Sequence, residues 1–240
     1  MLAGPILPLT LDGVCFDAGG TRLIHELSFT LKQGMRSVIL GPNGAGKSLT
    51  LRLCHGLLRP SAGSVRWANH GANQSLKRQA MVFQTPVVLR RSVAANVSYA
   101  LAINGVPRRQ RKERVEQALE RVGLDALARR SARALSIGEQ QRLALTRAWA
   151  LEPEVLFLDE PTANLDPTAT RAVEAVIDEI NRTGTKIVMT THSLGQARRL
   201  ADEVLFIHRG RLVDHAPADG FFAGAQSPEA AAFLRRELIW

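Results

Sequence analysis

Apolar residues along this chain come in two rhythms. Short apolar runs closed by turn residues predict strands at 6–11, 27–31 and 36–40, then at 63–67 and 81–83. A helix is predicted at 47–58. From about 92 to 151 the spacing turns helical, broken at Gly105-Val106-Pro107 and near Gly123. Strand signals return at 155–158, 186–190 and 203–207, with a helix at 168–182 between the first two. A final helix is expected from Ser227, with serine at the N-cap and Pro228 at N1, packing on the core. Val155-Leu156-Phe157-Leu158 is apolar at every position, as strands are when helices cover both faces of a parallel sheet. The order predicts an α/β fold with a parallel core sheet and a helical insertion.

Length and composition narrow the class. At 240 residues the chain suits one domain with a large core, burying about 70–75% of its unfolded surface. No apolar run approaches the roughly 20 residues of a membrane span. Residues 1–11 lack the basic start and small-residue cleavage site of a signal peptide. Cys15 and Cys54 show no metal-ligand spacing and sit in apolar sequence, so both are expected reduced and buried, in a cytosol. The net charge of +9 suits an anionic partner. Arginines gather in Arg108-Arg109-Gln110-Arg111-Lys112-Glu113-Arg114 and at Arg129, Arg130 and Arg133. These clusters read first as solvated helix faces, with contact to an anionic membrane surface as the functional alternative. Aromatic residues are not interleaved with them, which argues against single-stranded nucleic acid.

One stretch carries explicit chemistry. Gly41-Pro42-Asn43-Gly44-Ala45-Gly46-Lys47-Ser48 matches G-x-x-x-x-G-K-[ST], the phosphate-cradling P-loop. Glycines let the backbone wrap a polyphosphate with amide N–H groups pointing inward, and the next helix adds its positive end. Lys47 is expected on the β- and γ-phosphates of ATP and the Ser48 hydroxyl on Mg²⁺. The context, an apolar strand before and a helix after, is the one the motif requires.

Downstream, the apolar strand at 155–158 ends in Asp159-Glu160. In P-loop NTPases an aspartate at this strand tip holds Mg²⁺, directly or through water. Glu160 places a second carboxylate where an attacking water sits, suited to a general base. The bland reading is a strand followed by a helix-capping acid. Leu135-Ser136-Ile137-Gly138-Glu139 opens a further helix. Ser136 with Glu139 three residues on spells a capping box; equally, that helix N-terminus and the Ser136 hydroxyl suit a γ-phosphate.

Taken together these segments resemble the ATP-binding subunits of ABC transporters. Five elements stand in that family's order: the P-loop, Gln84 after a strand, the signature segment 135–139, Asp159-Glu160, and His192. Ala163-Asn164-Leu165-Asp166 matches the family's short loop after the acidic pair. The resemblance covers nearly the whole chain. It implies a P-loop NTPase core with a parallel sheet, an antiparallel β-subdomain and a helical signature subdomain. All lie within one domain, 1–240, with the core and β-subdomain at 6–84 and 152–240 and the helical subdomain at 85–151.

The same resemblance implies roles. Two copies pair head to tail, and ATP lies between Gly41, Pro42, Asn43, Gly44, Ala45, Gly46, Lys47, Ser48 and Leu49 of one copy and Ser136, Gly138 and Glu139 of the other. Gln84 senses the γ-phosphate and joins Ser48 and Asp159 at Mg²⁺. Glu160 polarises the attacking water, His192 contacts the γ-phosphate, and Asp166 communicates across the dimer. The implied activity is ATP hydrolysis driving transport at the cytoplasmic face of the membrane. Partners are separate permease subunits and, indirectly, a substrate-binding protein, with no nucleic acid. Residues 89–97 and 139–151 resemble tungstate-type oxyanion importers, with phosphate and polar amino-acid importers close behind.

Two positions depart from the family pattern. The signature segment usually reads Leu-Ser-Gly-Gly-Gln; here Ile137 and Glu139 replace a Gly and the Gln. A β-branched residue disfavours positive φ, so Ile137 is expected either to carry strain or to crowd the partner's nucleotide. The aromatic that usually stacks on adenine aligns with Ala18, and Phe16 is the substitute on the same strand face. These changes leave a non-hydrolysing dimerisation module as the competing class.

Overall fold

Gly19 and Gly20 both adopt left-handed backbone, φ 57° and 77°, which matches the twist of two strands joined by a two-residue turn. In the computed structural model, which describes residues 4–68 and 75–235, that turn joins β1 (Leu9–Ala18) to β2 (Thr21–Leu31), with Ala18 opposite Thr21. The hairpin starts later and runs longer than the run at 6–11 predicts, because Thr, Asp and Arg on its outer face interrupt the apolar signal. β4 (Ala62–Trp67) pairs antiparallel with β1 and completes a three-stranded sheet.

The chain divides into two compact units, 1–79 with 186–240 and 80–185. In the first unit β3 (Ser37–Leu40) is central. It pairs in parallel with β7 (Lys186–Thr191) and with β8 (Glu203–His208), and β8 pairs antiparallel with β9 (Arg211–Pro217). β3, β7 and all but the last residue of β8 are buried. Helix α1 (Lys47–His55) follows β3 and stops where Gly56 takes left-handed backbone and caps the Arg52 carbonyl. Helix α6 (Leu194–Leu200) follows β7, and α7 (Ala218–Ala223) and α8 (Pro228–Leu234) close the unit. The Ser227 hydroxyl accepts from the Ala230 N–H at 3.1 Å, and Phe233 of α8 lies 5.2 Å from Phe206 of β8, so the last helix packs as expected.

The second unit holds β5 (Gln79–Val82) beside β6 (Val155–Asp159), with the helical insertion between them in sequence. The insertion comprises α2 (Val93–Ile103), α3 (Arg108–Arg121) and α4 (Ile137–Trp149). Helix α5 (Pro167–Arg182) follows β6 and buries Val173, Val176, Ile177 and Ile180 at helical spacing. Asn96 of α2 is fully buried; its side-chain carbonyl accepts from the Leu89 N–H at 2.8 Å and its amide donates to the Ser92 carbonyl at 2.9 Å, fixing the chain before the helix. The arginine-rich start of α3 is solvated, as its charge predicts. Both cysteines are buried and free, and burial pushes the Cys54 thiol up to about 12.

An ion network sits in the interior of the first unit. Glu203 accepts from the Ser37 hydroxyl, from Lys186 Nζ at 3.3 Å and from the His215 ring at 3.0 Å. Burial alone raises a carboxyl pKa, yet the hydrogen bonds from His215 and Ser37 and the Lys186 charge hold Glu203 down to about 2. Beside it, Arg36 makes a bidentate pair with Asp202. Because the folded pKa of Glu203 lies below its ordinary value of 4.5, the network's contribution is complete above that value and is lost as pH falls toward 2. Glu203→Gln strands the fully buried Lys186 charge and is expected to cost roughly 3–5 kcal/mol in denaturant unfolding. Adding Lys186→Met should recover part of the loss. A single variant as stable as the parent would show that the pair contributes nothing.

Candidate functional site

The phosphate loop is built from close backbone approaches. Gly41 follows β3, and a Cβ there would lie 2.1 Å from the Ile207 carbonyl oxygen. Gly44 and Gly46 have φ 73° and 100°, conformations that only glycine adopts without strain. A two-residue turn braces the loop from behind. Arg209 and Gly210, φ 47° and 72°, join β8 to β9. The Gly210 N–H donates to the Ala45 carbonyl at 2.9 Å, and the Gly210 carbonyl accepts from the His25 N–H of β2 at 2.8 Å. A Cβ on Gly210 would lie 2.1 Å from the Leu23 carbonyl oxygen. Backbone thus supports backbone from β2 through the turn to the loop.

The cradle fits a polyphosphate. Helix α1 begins on Gly46 with no side-chain cap on its first turn, the arrangement that leaves helix N–H groups for an anion. Lys47 is buried, and its Nζ donates to the Pro42 carbonyl at 2.9 Å, which folds the ammonium over the loop. Asn43 and Gly44 are exposed at the rim, while Ser48 and Leu49 are half-buried on the first turn of α1. His192 belongs to the same edge. Thr191 pairs with Leu40, so His192 and Gly41 leave adjacent parallel strands side by side. Ser193, next to it, caps α6 through the Gln196 N–H.

Phe16 is half-buried opposite Ile24, and Ala18 is exposed opposite Thr21. A register shift falls between Phe16 and Asp17, so strand alternation does not carry over simply from one candidate to the other.

In the second unit Asp159 ends β6 and is 2% exposed, and Glu160 follows with φ 43°. Asn164 in the next turn has φ 62°. Two non-glycine residues in left-handed backbone within five positions store strain at the acidic pair, a hallmark of functional loops. Asp166 ends that loop as N-cap of α5, its carboxylate accepting from the Thr168 and Ala169 N–H groups at 2.8 and 2.9 Å. Gln84 is exposed two residues past β5. Three residues further, the Val87 carbonyl accepts from Arg147 of α4, tying the segment after Gln84 to the signature helix.

The signature segment divides its residues cleanly. The Ser136 hydroxyl accepts from the Glu139 N–H at 3.3 Å, and the Glu139 carboxylate accepts from the Ser136 N–H at 2.7 Å, a complete capping box. That backbone hydrogen bond holds the Glu139 carboxyl below its usual range. Ile137 opens α4 with ordinary helical backbone and is 59% exposed. It carries no positive φ, so the strain expected of a β-branched residue is not present. Gly138 is buried, and a Cβ there would sit 2.7 Å from the Ala169 Cβ. Helix α4 therefore needs a glycine to meet α5.

The Arg209-Gly210 brace escaped the sequence reading. The available signal was Gly210 soon after the apolar run at 203–207, a residue type that closes hairpin turns.

The comparisons with known proteins agree with this geometry. The family model described as ABC transporter matches residues 24–163. The tungstate uptake system ATP-binding protein TupC of Peptoclostridium acidaminophilum is 36% identical over 90% of this chain and 100% of its own length. The phosphate import ATP-binding protein PstB 2 of Natronomonas pharaonis is 32% identical over 97% of this chain and 88% of its own. Among solved structures, cbiO1 of Clostridium perfringens, part of the ABC transporter complex cbiONQ, superimposes with a TM-score of 0.83 at 29% identity, covering 90% of each chain. The chain belongs to the ABC transporter family, as an ATP-binding subunit with the P-loop NTPase fold, and its activity is ATP hydrolysis coupled to transport.

A contact this tight makes Gly138→Ala a sharp test. Overpacking should cost about 1–3 kcal/mol, and Ala169→Gly in the same chain should return part of it despite glycine's own helix penalty of ~1 kcal/mol. Urea unfolding of both variants reads this out. No rescue by Ala169→Gly would place the glycine requirement elsewhere than at the α4–α5 contact.

Proposed function

We propose that the transport this subunit drives is uptake of an oxyanion of the tungstate, molybdate or phosphate kind. The observation that carries the reading is the match to TupC over that protein's full length, with the phosphate import protein PstB 2 next to it. Cargo need not touch this subunit, so the support comes from likeness along the chain and not from a cargo pocket.

The working unit in this reading is two copies arranged head to tail, joined to separate permease subunits at the cytoplasmic face of the membrane. Among the described residues no helix is long and apolar enough to cross a membrane. The helical insertion offers a seat for a permease segment. An open groove of about 760 Å³ runs between α2 and α3, lined by Ser98, Arg111, Lys112, Val115 and Glu116 among others. Val87 and Ile103 stand 70% and 65% exposed in the same unit.

Gly41 to Leu49 hold the triphosphate of ATP through main-chain N–H groups, with Lys47 neutralising the β- and γ-phosphates. By the family resemblance, Ser48, Gln84 and Asp159 would be the oxygen donors for Mg²⁺. Bound Mg²⁺ supplies charge neutralisation at the transferred phosphoryl group. Glu160, in left-handed backbone just past the strand end, takes the proton of the attacking water. His192, at the strand end beside Gly41, contacts the γ-phosphate. Ser136, Gly138 and Glu139 of the second copy close over the nucleotide, and Asp166 stands at the neighbouring helix start to couple the two copies.

Deleting the gene for this chain should abolish uptake of labelled tungstate or molybdate by cells. The parent chain should restore it and Glu160→Gln should not. That variant should bind ATP normally and hydrolyse it at least ~100-fold more slowly, the scale for losing a general base. Intact oxyanion uptake together with lost amino-acid uptake would replace oxyanion cargo by a polar amino acid.

Ile137 generates a second prediction. Free of backbone strain but exposed, its side chain meets the second copy only on closure. In the Glu160→Gln background, Ile137→Gly should strengthen ATP-dependent dimerisation, and alone it should raise turnover within about tenfold. Gel filtration with ATP separates closure from chemistry. Equal or weaker dimerisation would show that the closed pair accommodates isoleucine.

A further inference from the structure

Gln141 lies one turn beyond Gly138 on α4 and is 1% exposed. Among the described residues neither its side-chain nitrogen nor its oxygen has a hydrogen-bond partner. Its neighbour Gln140 behaves ordinarily and donates to the Leu135 carbonyl at 3.0 Å. An amide buried with all its hydrogen bonds unmade is costly, and such groups call for a specific explanation.

Position supplies one. Residues three apart share a helix face, so Gln141 lies on the face that Gly138 presses against Ala169 of α5. Side chains on a helix lean toward its N-terminus, which directs the amide back toward the first turns of α4 and α5. The chain entering α5 there is loop 160–166. That loop holds Glu160 and Asn164 in left-handed backbone. Two turn hydrogen bonds shape it, 3.1 Å from the Ala163 N–H to the Glu160 carbonyl and 3.3 Å from the Leu165 N–H to the Thr162 carbonyl. A loop with left-handed backbone at Glu160 thus leads into the helix that Gly138 meets, while Gln141 on that face of α4 holds two donors and an acceptor unspent among the described residues.

We propose that Gln141 is a positioning residue for hydrolysis: its amide pairs with the main chain of loop 160–166 when that loop rearranges around bound nucleotide, and so holds Glu160 in place from the signature helix. The proposal rests on the reading of Glu160 as the base. It makes α4 sense the loop of its own copy through Gln141 while its N-terminus faces the second copy. In the nucleotide-free chain the unpaired amide destabilises the resting arrangement and favours the rearranged one.

Gln141→Met keeps the volume and flexibility and removes the amide. The nucleotide-free variant should melt at the same temperature as the parent or higher. Its kcat for ATP should fall at least tenfold with KM within twofold, and ATP-induced protection of the 160–166 amides in hydrogen exchange should be lost. Unchanged kcat would overturn the proposal, whatever the melting temperature. A lower melting temperature accompanying the fall in kcat would also overturn it, because the amide would then already be satisfied in the resting fold. Glu160→Gln alone tells the two readings apart. Native-rate hydrolysis by that variant removes Glu160 as base, while hydrogen exchange on Gln141→Met still reports whether the amide orders the loop.

Discussion

Parallel pairing of β3 with β7 and β8 is the constraint on which the first unit depends. Leu40 stands opposite Thr191 on one side and Phe206 on the other, so three strands end at one edge in register. Three segments are thereby forced together: the phosphate loop after β3, His192 after β7, and the Arg209-Gly210 turn just beyond β8. A slip of one residue would turn every buried side chain to the wrong face. It would also move the Ile207 carbonyl away from Gly41. The Ser37–Lys186–Glu203 network joins the opposite ends of the same strands, where Ser37 pairs with Glu203 in the ladder. Ion pairing at one end and close backbone approach at the other select the same register.

That arrangement explains where glycine is required. The P-loop is usually described by the phosphates it receives, but it is also constrained from behind. Gly41 has no room for a Cβ because of Ile207, and Gly210 has none because of Leu23. Both constraints hold before any nucleotide binds. A loop held by hydrogen bonds from β2 through Gly210 to Ala45 is preorganised, so little ordering entropy is left to oppose binding.

Much of this was legible in the sequence because apolar runs report burial. The strands at 36–40, 155–158, 186–190 and 203–207 all stand within a residue or two of their predicted places, as does α5, whose apolar face repeats at helical spacing. The phosphate loop, the acidic pair and the capping box were legible because each needs particular residue types at fixed spacing. β9 and α6 were missed for a physical reason. β9 is an edge strand with half-exposed, charged positions, and α6 is only seven residues long with paired arginines, so neither has a strong period. Left-handed backbone at Asn164 suits a residue type that tolerates it, but at Glu160 it had no signal, since the surrounding fold alone imposes it.

The signature segment shows how structure reinterprets a departure from a family pattern. Two neighbouring positions that the family fills with glycine are occupied here by Ile137 and Gly138. One points outward with helical backbone, and the other is wedged against Ala169. The outward position is 59% exposed with helical backbone, so isoleucine there adds no backbone strain. The inward position tolerates no Cβ. Glu139 obeys the same logic, since a carboxylate caps the helix through the Ser136 N–H as a neutral amide would, and with a full charge that the helix N-terminus favours. The substitutions thus fall where the fold of one copy is indifferent. Their consequences are carried by the surface that α4 presents, while the buried face of the same helix keeps Gly138 and Gln141, whose amide has no partner among the described residues.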